Sequence, residues 1–195
     1  LLESKSGREA ILADCVVDCT GDGDIAARAG AAFDLGREGD GACQPMTTIF
    51  TAAGCDPGRL CYGDPATDPE PDPLRRDRYR GAVALARQRG TIRLNPNDLF
   101  CAATAFAAGE PAIRAINFTR VQGRSAIDAA ALTAAEIEGR AQVAEAMAFM
   151  REAMPGCRQA SLLATAPSIG VRESRRIRGD YVLSGEEVLA GAGCD

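Results

Sequence analysis

The chain has 195 residues, of which 46% are hydrophobic, enough for one medium-sized domain or for parts of two. A formal net charge of −5 argues against a nucleic-acid-binding surface, and no run of about 18 uncharged apolar residues predicts a membrane span. The absence of histidine excludes Ser-His-Asp and Cys-His mechanisms built from these residues alone.

Cysteine usage favours reduced thiols rather than a metal site or a disulfide framework. None of the eight cysteines lies in a Cys-x-x-Cys pair, so we expect no zinc or iron–sulfur centre. No signal-peptide pattern opens the sequence, which favours a cytoplasmic protein. The sequence starts at Leu1 without a methionine, and we expect it to be the central part of a longer protein.

The first predicted elements are a strand and a helix joined by a glycine-rich turn. Residues 15–17 are apolar without polar alternation, which predicts a strand covered on both faces. Cys15 and Cys19 are then expected to be small core residues. A short helix is predicted over residues 24–32, with Gly30 near its end.

The turn at residues 20–24 is the strongest candidate for a ligand site. Its glycines allow a ligand to approach the backbone, and its amides and the helix N-terminus can face a phosphate or a ribose. Asp22 and Asp24 are candidate acceptors for ribose hydroxyls, and either can instead cap the helix, for which Asp24 is well placed. Because the same residue types occur in ordinary turns, the turn alone leaves both interpretations open.

The remaining elements alternate between strands and helices. Residues 54–73 are rich in Pro, Gly and Asp and predict a long irregular loop, whereas residues 99–108 fit either a strand or a helix. This mixture predicts a mixed chain of the α+β class. Strands are predicted over residues 44–51, 92–94, 112–121 and 161–166, and helical segments over residues 75–88, 133–154 and 184–189.

The clearest predicted helix covers residues 133–154. Thr133 and Glu136 have the spacing of a capping box, which predicts where the helix begins. An apolar stripe at helical spacing is expected to be core rather than a cofactor-binding surface. The residues of this stripe are Val143, Met147, Met150 and Met154.

Several segments together resemble one family of flavoproteins. Together they are far more specific than the turn Asp18-Cys19-Thr20-Gly21-Asp22-Gly23-Asp24 alone. The segments are residues 3–8, 17–30, 44–47, 117–121, 132–140 and 166–183, and their order and spacing match across nearly the whole chain. The chain resembles the FAD-dependent oxidoreductases related to the succinate dehydrogenase/fumarate reductase flavoproteins and to the geranylgeranyl-reductase-like proteins.

The resemblance implies a fold and an activity. Residues 1–35 are expected to be the end of an FAD-binding α/β domain, and residues 36–195 a substrate or cap domain built from a β-sheet and helices. The full-length protein is expected to transfer hydride between a substrate and the flavin. Family members also carry a Gly-x-Gly-x-x-Gly segment that holds the FAD pyrophosphate, and we expect this chain alone, which lacks that segment, to be inactive.

The resemblance also implies roles for individual residues. Those expected beside the FAD are Thr20, Gly21, Asp22, Gly23 and Asp24, and those expected on the substrate side are Gln44, Pro45, Met46, Thr47 and Arg120. Arg172 and Arg175 are the candidate catalytic residues, since a guanidinium group could hold a carboxylate or stabilise reduced flavin. Alternatively, they form structural ion pairs with Glu173, Glu186 or Glu187.

Two other functions stay open from the sequence. The chain could be a non-catalytic binding or assembly module on the same scaffold, or part of an NAD(P)-binding enzyme that uses the glycine turn for another dinucleotide. The expected partners are a small-molecule substrate and the remaining segments of the flavin domain, with no nucleic acid and no membrane.

Overall fold

A computed structural model describes residues 1–56, 73–93, 102–105, 113–154 and 156–191. The chain divides into two compact units, one formed by Leu1–Leu35 with Arg175–Asp195 and the other by Gly36–Ser174. The sequence-based boundary also falls after residue 35, but it assigns residues 175–195 to the second domain. In the structure these residues contact the first unit through a strand pair, described next.

The first unit contains two small antiparallel strand pairs and two short helices. Strand β1 pairs with β2, and β3 pairs with β8 through the register Phe33↔Ile177, Asp34↔Arg176 and Leu35↔Arg175. Because β3 and β8 are far apart in sequence, their pairing closes this unit. Its elements are β1 (Leu2–Ser4), β2 (Gly7–Glu9), α1 (Asp24–Arg28), β3 (Phe33–Leu35), β8 (Arg175–Ile177) and α4 (Gly185–Ala190).

The strand predicted at residues 15–17 is absent. A strand forms where a neighbour accepts its backbone hydrogen bonds, and none of the residues that the structure describes pairs with residues 10–20. Val16 and Val17 are 69% and 78% exposed. Cys15 and Cys19 are exposed as well, so the prediction that they are core residues is wrong.

The second unit is built on a four-stranded antiparallel sheet. Its strand order is β5-β6-β4-β7, and Met46 and Thr47 precede it as isolated bridges to Val121 and Gly170. The strand predicted over 44–51 therefore becomes regular only at Phe50. The elements are β4 (Phe50–Ala53), α2 (Pro73–Gln88), β5 (Ala102–Ala105), β6 (Arg114–Asn117), α3 (Ala129–Ala153) and β7 (Ser161–Thr165).

Helix α3 supplies a large part of the core of this unit. The rings of Phe149 on α3 and Phe118 stack with centroids 5.5 Å apart, and both side chains are buried. The predicted apolar stripe is confirmed as core. Val143, Met147, Met150 and Met154 are all at most 5% exposed.

The start of α3 differs from the prediction. Asp128 is the N-cap, and its carboxylate accepts a hydrogen bond from Ala131 N at 2.7 Å. Thr133 lies inside the helix, where its hydroxyl donates to Ala129 O. Asp128, five residues earlier, takes the cap position instead, because its short carboxylate side chain reaches the free first-turn amides. The capping box at Thr133 and Glu136 is therefore wrong.

The elements together form a mixed α+β chain, as the sequence predicts. The predicted strand at 161–166 and helix at 75–88 correspond to β7 and α2, whereas most of the predicted loop at 54–73 lies outside the described residues. Within the described ranges, no helix is long and apolar enough to cross a membrane.

Candidate functional site

The turn at residues 20–24 is organised by Asp18, a residue that the sequence-based prediction missed. Its Oδ1 accepts hydrogen bonds from Thr20 N at 2.9 Å and from Thr20 Oγ1 at 2.7 Å, and its Oδ2 accepts one from Ala26 N at 2.8 Å. The bonds from Ala26 N, the Thr20 hydroxyl and Thr20 N lower the pKa of the Asp18 carboxyl. A single ionised carboxylate thus joins both ends of the turn.

Helix α1 begins without the cap expected from Asp24. Its N-cap is Gly23, with φ +63°, and glycine has no side chain that could cap the helix. Instead, Thr20 Oγ1 accepts from Asp24 N at 2.8 Å while Asp18 accepts from Ala26 N. The amides of Asp24 and Ala26 are therefore occupied by protein groups and are not available for a phosphate.

Arg175 fixes the outer side of the same turn. Its Nη1 donates to Asp22 O at 3.1 Å and to Asp24 Oδ1 at 2.7 Å. The guanidinium also lies 5.5 Å from the centre of the Phe33 ring, and only 14% of the side chain is exposed. Arg175 is therefore paired with Asp24, rather than with the glutamates considered from the sequence.

Asp22 differs from its neighbours in the hydrogen bonding of its carboxylate. Among the described residues, no group donates a hydrogen bond to that carboxylate, although its backbone carbonyl is held by Arg175. A Cβ placed on Gly21 would meet no atom within 4 Å, so the space beside the turn is open. The turn therefore presents a fixed backbone and one free acceptor side chain.

Gly23 is confined by the opposite strand. Its φ of +63° lies in the left-handed region, and a Cβ would come within 2.9 Å of Ile177 on β8. A side chain here would meet both backbone strain and a close contact. This glycine serves the packing of the turn within its own unit.

The predicted substrate-side segment lies in the second unit and is held at three points. Gln44 N donates to Glu173 Oε2 at 2.8 Å. Met46 exchanges two backbone hydrogen bonds of 2.9 Å with Val121, and Thr47 exchanges two with Gly170. Residues 44–47 are thus fixed between two other chain segments, although Gln44 itself is exposed.

Side chains of α3 hold the partners of this segment. Gln142 accepts from Arg120 N at 2.7 Å and donates to Arg120 O at 3.0 Å. Glu136 accepts from Ile169 N at 2.6 Å and forms an ion pair with Arg140. Neither Glu136 nor Gln142 was a predicted site residue, because the backbone groups that they hold, at Ile169 and Arg120, lie 33 and 22 positions away in the sequence.

The two candidate catalytic arginines differ in environment. Arg172 is exposed and forms no ion pair with any residue that the structure describes, whereas Arg175 is largely buried and paired. Arg178 resembles Arg175 in being paired, since its guanidinium contacts both carboxylate oxygens of Asp34. Of these three, only Arg172 keeps an uncommitted guanidinium.

Comparison with known proteins agrees with the resemblance seen in the sequence. A model of the family described as FAD dependent oxidoreductase matches residues 1–195. No curated protein and no solved structure matches the chain significantly. The family match covers both the turn at residues 20–24 and the segment at 44–47. The chain belongs to the family of FAD dependent oxidoreductases.

Proposed function

We propose that the protein transfers hydride between a small-molecule substrate and FAD, and that residues 20–24 face the hydroxyl-bearing part of the cofactor. The observation that carries this proposal is the uncommitted carboxylate of Asp22 on a turn that Asp18 and Arg175 hold rigid. A carboxylate accepts hydrogen bonds from sugar hydroxyls without needing a compensating charge.

The residues of the turn fit this part of FAD and do not fit its pyrophosphate. Asp22 offers an acceptor, and the space beside Gly21 is open. Two amides at the start of the helix that could hold a phosphate, those of Asp24 and Ala26, are already bonded to Thr20 and Asp18. Binding of the pyrophosphate is therefore assigned to other segments of the flavin domain, which are proposed partners of this chain.

When bound, the flavin supplies a ring that accepts or returns a hydride. The residues of this chain bind and orient the cofactor and the substrate. Asp22 accepts hydroxyl hydrogens of the cofactor, and Arg175 keeps the Asp22 carbonyl and the Asp24 carboxylate in place. Arg172, with its exposed guanidinium, binds an anionic group of the substrate in two-pronged geometry.

Flavin retention by Asp22→Ala in the full-length protein tests this proposal. We expect the variant to lose most of its FAD during gel filtration, because the hydroxyl acceptor is gone. Asp14→Ala is the matched control, since Asp14 is an exposed aspartate of the same unit outside the turn. Flavin per chain is measured by visible absorbance.

The Asp24→Ala variant distinguishes a residue that supports the turn from one that binds the cofactor. Since Asp24 pairs with Arg175 rather than facing open space, its loss should lower the melting temperature more than it lowers flavin content. Equal flavin content in Asp22→Ala, Asp14→Ala and the parent protein would overturn the role of Asp22.

A further inference from the structure

Two cysteines outside the sites described above lie side by side in the second unit. Cys55 follows β4 and Cys157 follows α3, and their sulfur atoms are 3.7 Å apart. Their exposed fractions are 1% and 0%. A disulfide has an S–S bond of about 2.05 Å, so a small side-chain movement is enough to form one.

The backbone around both cysteines is fixed by hydrogen bonds and close packing. Asp56 N donates to Gly156 O at 2.9 Å, which joins the residue after Cys55 to the residue before Cys157. A Cβ on Gly54, whose φ is +74°, would lie 2.6 Å from Gln159 O. The two segments therefore approach as closely as backbones can, and the sulfur contact follows from that approach.

Solvent-exposed residues adjoin both cysteines in the sequence. The residues next to the pair are exposed: Gly54 and Asp56 flank Cys55, and Arg158 and Gln159 follow Cys157. Both cysteines belong to the buried core of the unit, and a small oxidant reaches them through a local opening of these segments. A larger reagent would require more extensive opening.

The surroundings of Cys55 favour the ionised form of its thiol. The hydrogen bond from Cys157 lowers the pKa of the Cys55 thiol, and the positive charge of Arg114 lowers it further, against the opposing effect of burial. Thiolate is the reactive form of cysteine towards oxidants.

We propose that Cys55 and Cys157 are a redox modification site that forms a reversible disulfide on exposure to a peroxide. The Cys55 sulfur attacks one oxygen of the peroxide, the O–O bond breaks, and a sulfenic acid and one water form. The Cys157 sulfur then attacks the Cys55 sulfur, the S–O bond breaks and a second water leaves. The two thiols lose two electrons and two protons, and hydrogen peroxide is reduced to two waters.

The bond joins the end of β4 to the chain just beyond α3. These positions are separated by 102 residues in the sequence. A cross-link over so long a loop restricts the unfolded chain strongly, so the oxidised form should have the higher melting temperature. A thiol reductant returns the protein to its starting state.

Peptide mapping of the full-length protein tests the proposal. The protein is treated with hydrogen peroxide, its remaining thiols are alkylated, and its digest is analysed by mass spectrometry before and after dithiothreitol. We expect a linked peptide pair containing Cys55 and Cys157, lighter than the two separate peptides by two hydrogen atoms and separated by dithiothreitol. Cys15→Ser/Cys19→Ser, which alters two exposed cysteines, should retain this link.

Cys55→Ala and Cys157→Ala should each abolish the link. If either variant fails to fold, the peptide map of the parent protein is sufficient to test the proposal. Recovery of Cys55 and Cys157 as alkylated thiols after peroxide treatment that oxidises Cys15 and Cys19 would overturn the proposal. Linkage of either residue to a different cysteine, or conversion to a sulfinic acid that dithiothreitol does not reverse, would also overturn it.

Discussion

The turn beside α1 contains three aspartates with different environments. Asp18 ties the turn together, Asp24 pairs with Arg175, and the Asp22 carboxylate accepts no hydrogen bond from the part of the chain that the structure describes. The sequence indicates that a ligand-binding turn lies here, because glycines and acidic residues follow an apolar run. It does not indicate which aspartate has which role, because Asp24 is paired with an arginine 151 positions away.

Local chemistry could nevertheless have identified Asp18. An aspartate two positions before a threonine at the start of a turn is typical of a side chain that bonds its own following backbone. Asp18 and Thr20 form that arrangement, with Thr20 N donating to Asp18 at 2.9 Å. The extension to Ala26 N is not visible in the sequence, because it depends on how tightly the glycines fold the turn.

Substitution of the two arginines with lysine should separate a binding role from a supporting role. We expect Arg172→Lys to reduce kcat/KM by an amount equivalent to about 1–3 kcal/mol of lost transition-state stabilisation, because lysine loses the planar two-pronged donor. The melting temperature of this variant should not change. Arg175→Lys should chiefly lower stability, since lysine cannot hold Asp22 and Asp24 together over the Phe33 ring. Steady-state kinetics and thermal unfolding of the full-length enzyme measure both effects.

The binding role of Arg172 would be refuted by kinetics of Arg172→Lys equal to those of the parent protein. Flavin content is measured for each variant, so that activity is compared per flavin-loaded molecule.

At the level of whole elements, Gly139 is where α3 packs closely against the segment that precedes β4. Gly139 is buried against Thr48, and a Cβ there would overlap Thr48 Oγ1 and lie 3.3 Å from Thr48 Cβ. We expect Gly139→Ala to lower the free energy of unfolding by about 1–3 kcal/mol through overpacking. Urea unfolding measures this change.

A second substitution tests whether the clash with Thr48 causes the loss of stability expected for Gly139→Ala. Thr48 Oγ1 is buried and has no hydrogen-bond partner among the described residues, so Thr48→Ala removes the clashing atom without breaking a bond that the structure shows. The double variant should therefore regain part of the stability that Gly139→Ala loses. Gly81→Ala in α2 is the control, because a Cβ there meets nothing within 4 Å and alanine favours a helix by up to about 1 kcal/mol. Purely additive effects of Thr48→Ala and Gly139→Ala would exclude the clash.

Helix α4 has a pH-dependent cap. Ser184 and Glu187 form a capping box, and hydrogen bonds from Ser184 and then from Tyr181 lower the pKa of Glu187 to about 2 from its ordinary 4.5. Because the folded pKa is depressed, this stabilisation is present above pH 4.5 and is lost as the pH falls towards 2.

Comparison of the parent protein with Glu187→Gln across this range measures the effect. The variant should melt at a lower temperature at neutral pH, and the difference should shrink as the pH falls from 4.5 towards 2. Glu186→Gln, one residue earlier in the same turn, controls for the loss of one charge. A difference that stays constant over this range would contradict the assigned pKa.

Elements with strong local patterns are predicted well. Helices α2 and α3, the strand β7 and the Ser184 cap all follow from periodicity or from short-range signals. The strand expected at residues 15–17 fails for a different reason, since an apolar run needs a pairing partner that the described residues do not supply. Met46 and Thr47 similarly pair only as isolated bridges, because their neighbours come from distant segments.

For the molecule as a whole, cofactor retention should depend on more than the turn at residues 20–24. We expect the 195-residue chain alone not to retain FAD through gel filtration, because it has no Gly-x-Gly-x-x-Gly and the amides beside the turn are occupied. Flavin absorbance of the eluted protein is the measurement. A yellow protein with one flavin per chain would contradict this expectation.

The grouping of the C-terminal residues with the N-terminal ones could not be predicted. It rests on the pairing of β3 with β8, two strands of three residues each. Strands this short carry almost no periodicity, and the ionic contact between Arg178 and Asp34 that accompanies them joins positions 144 residues apart. Pairing across such a separation is set by the folded state rather than by local preference.

The register of β3 and β8 also places Leu35 directly opposite Arg175. The chain therefore leaves the first unit and returns to it at two adjacent positions of one ladder, with residues 36–174 between them. In topological terms, the second unit occupies the place of a hairpin turn. A two-residue turn could close the same ladder, so the pairing of β3 with β8 does not itself set the length of the chain between Leu35 and Arg175.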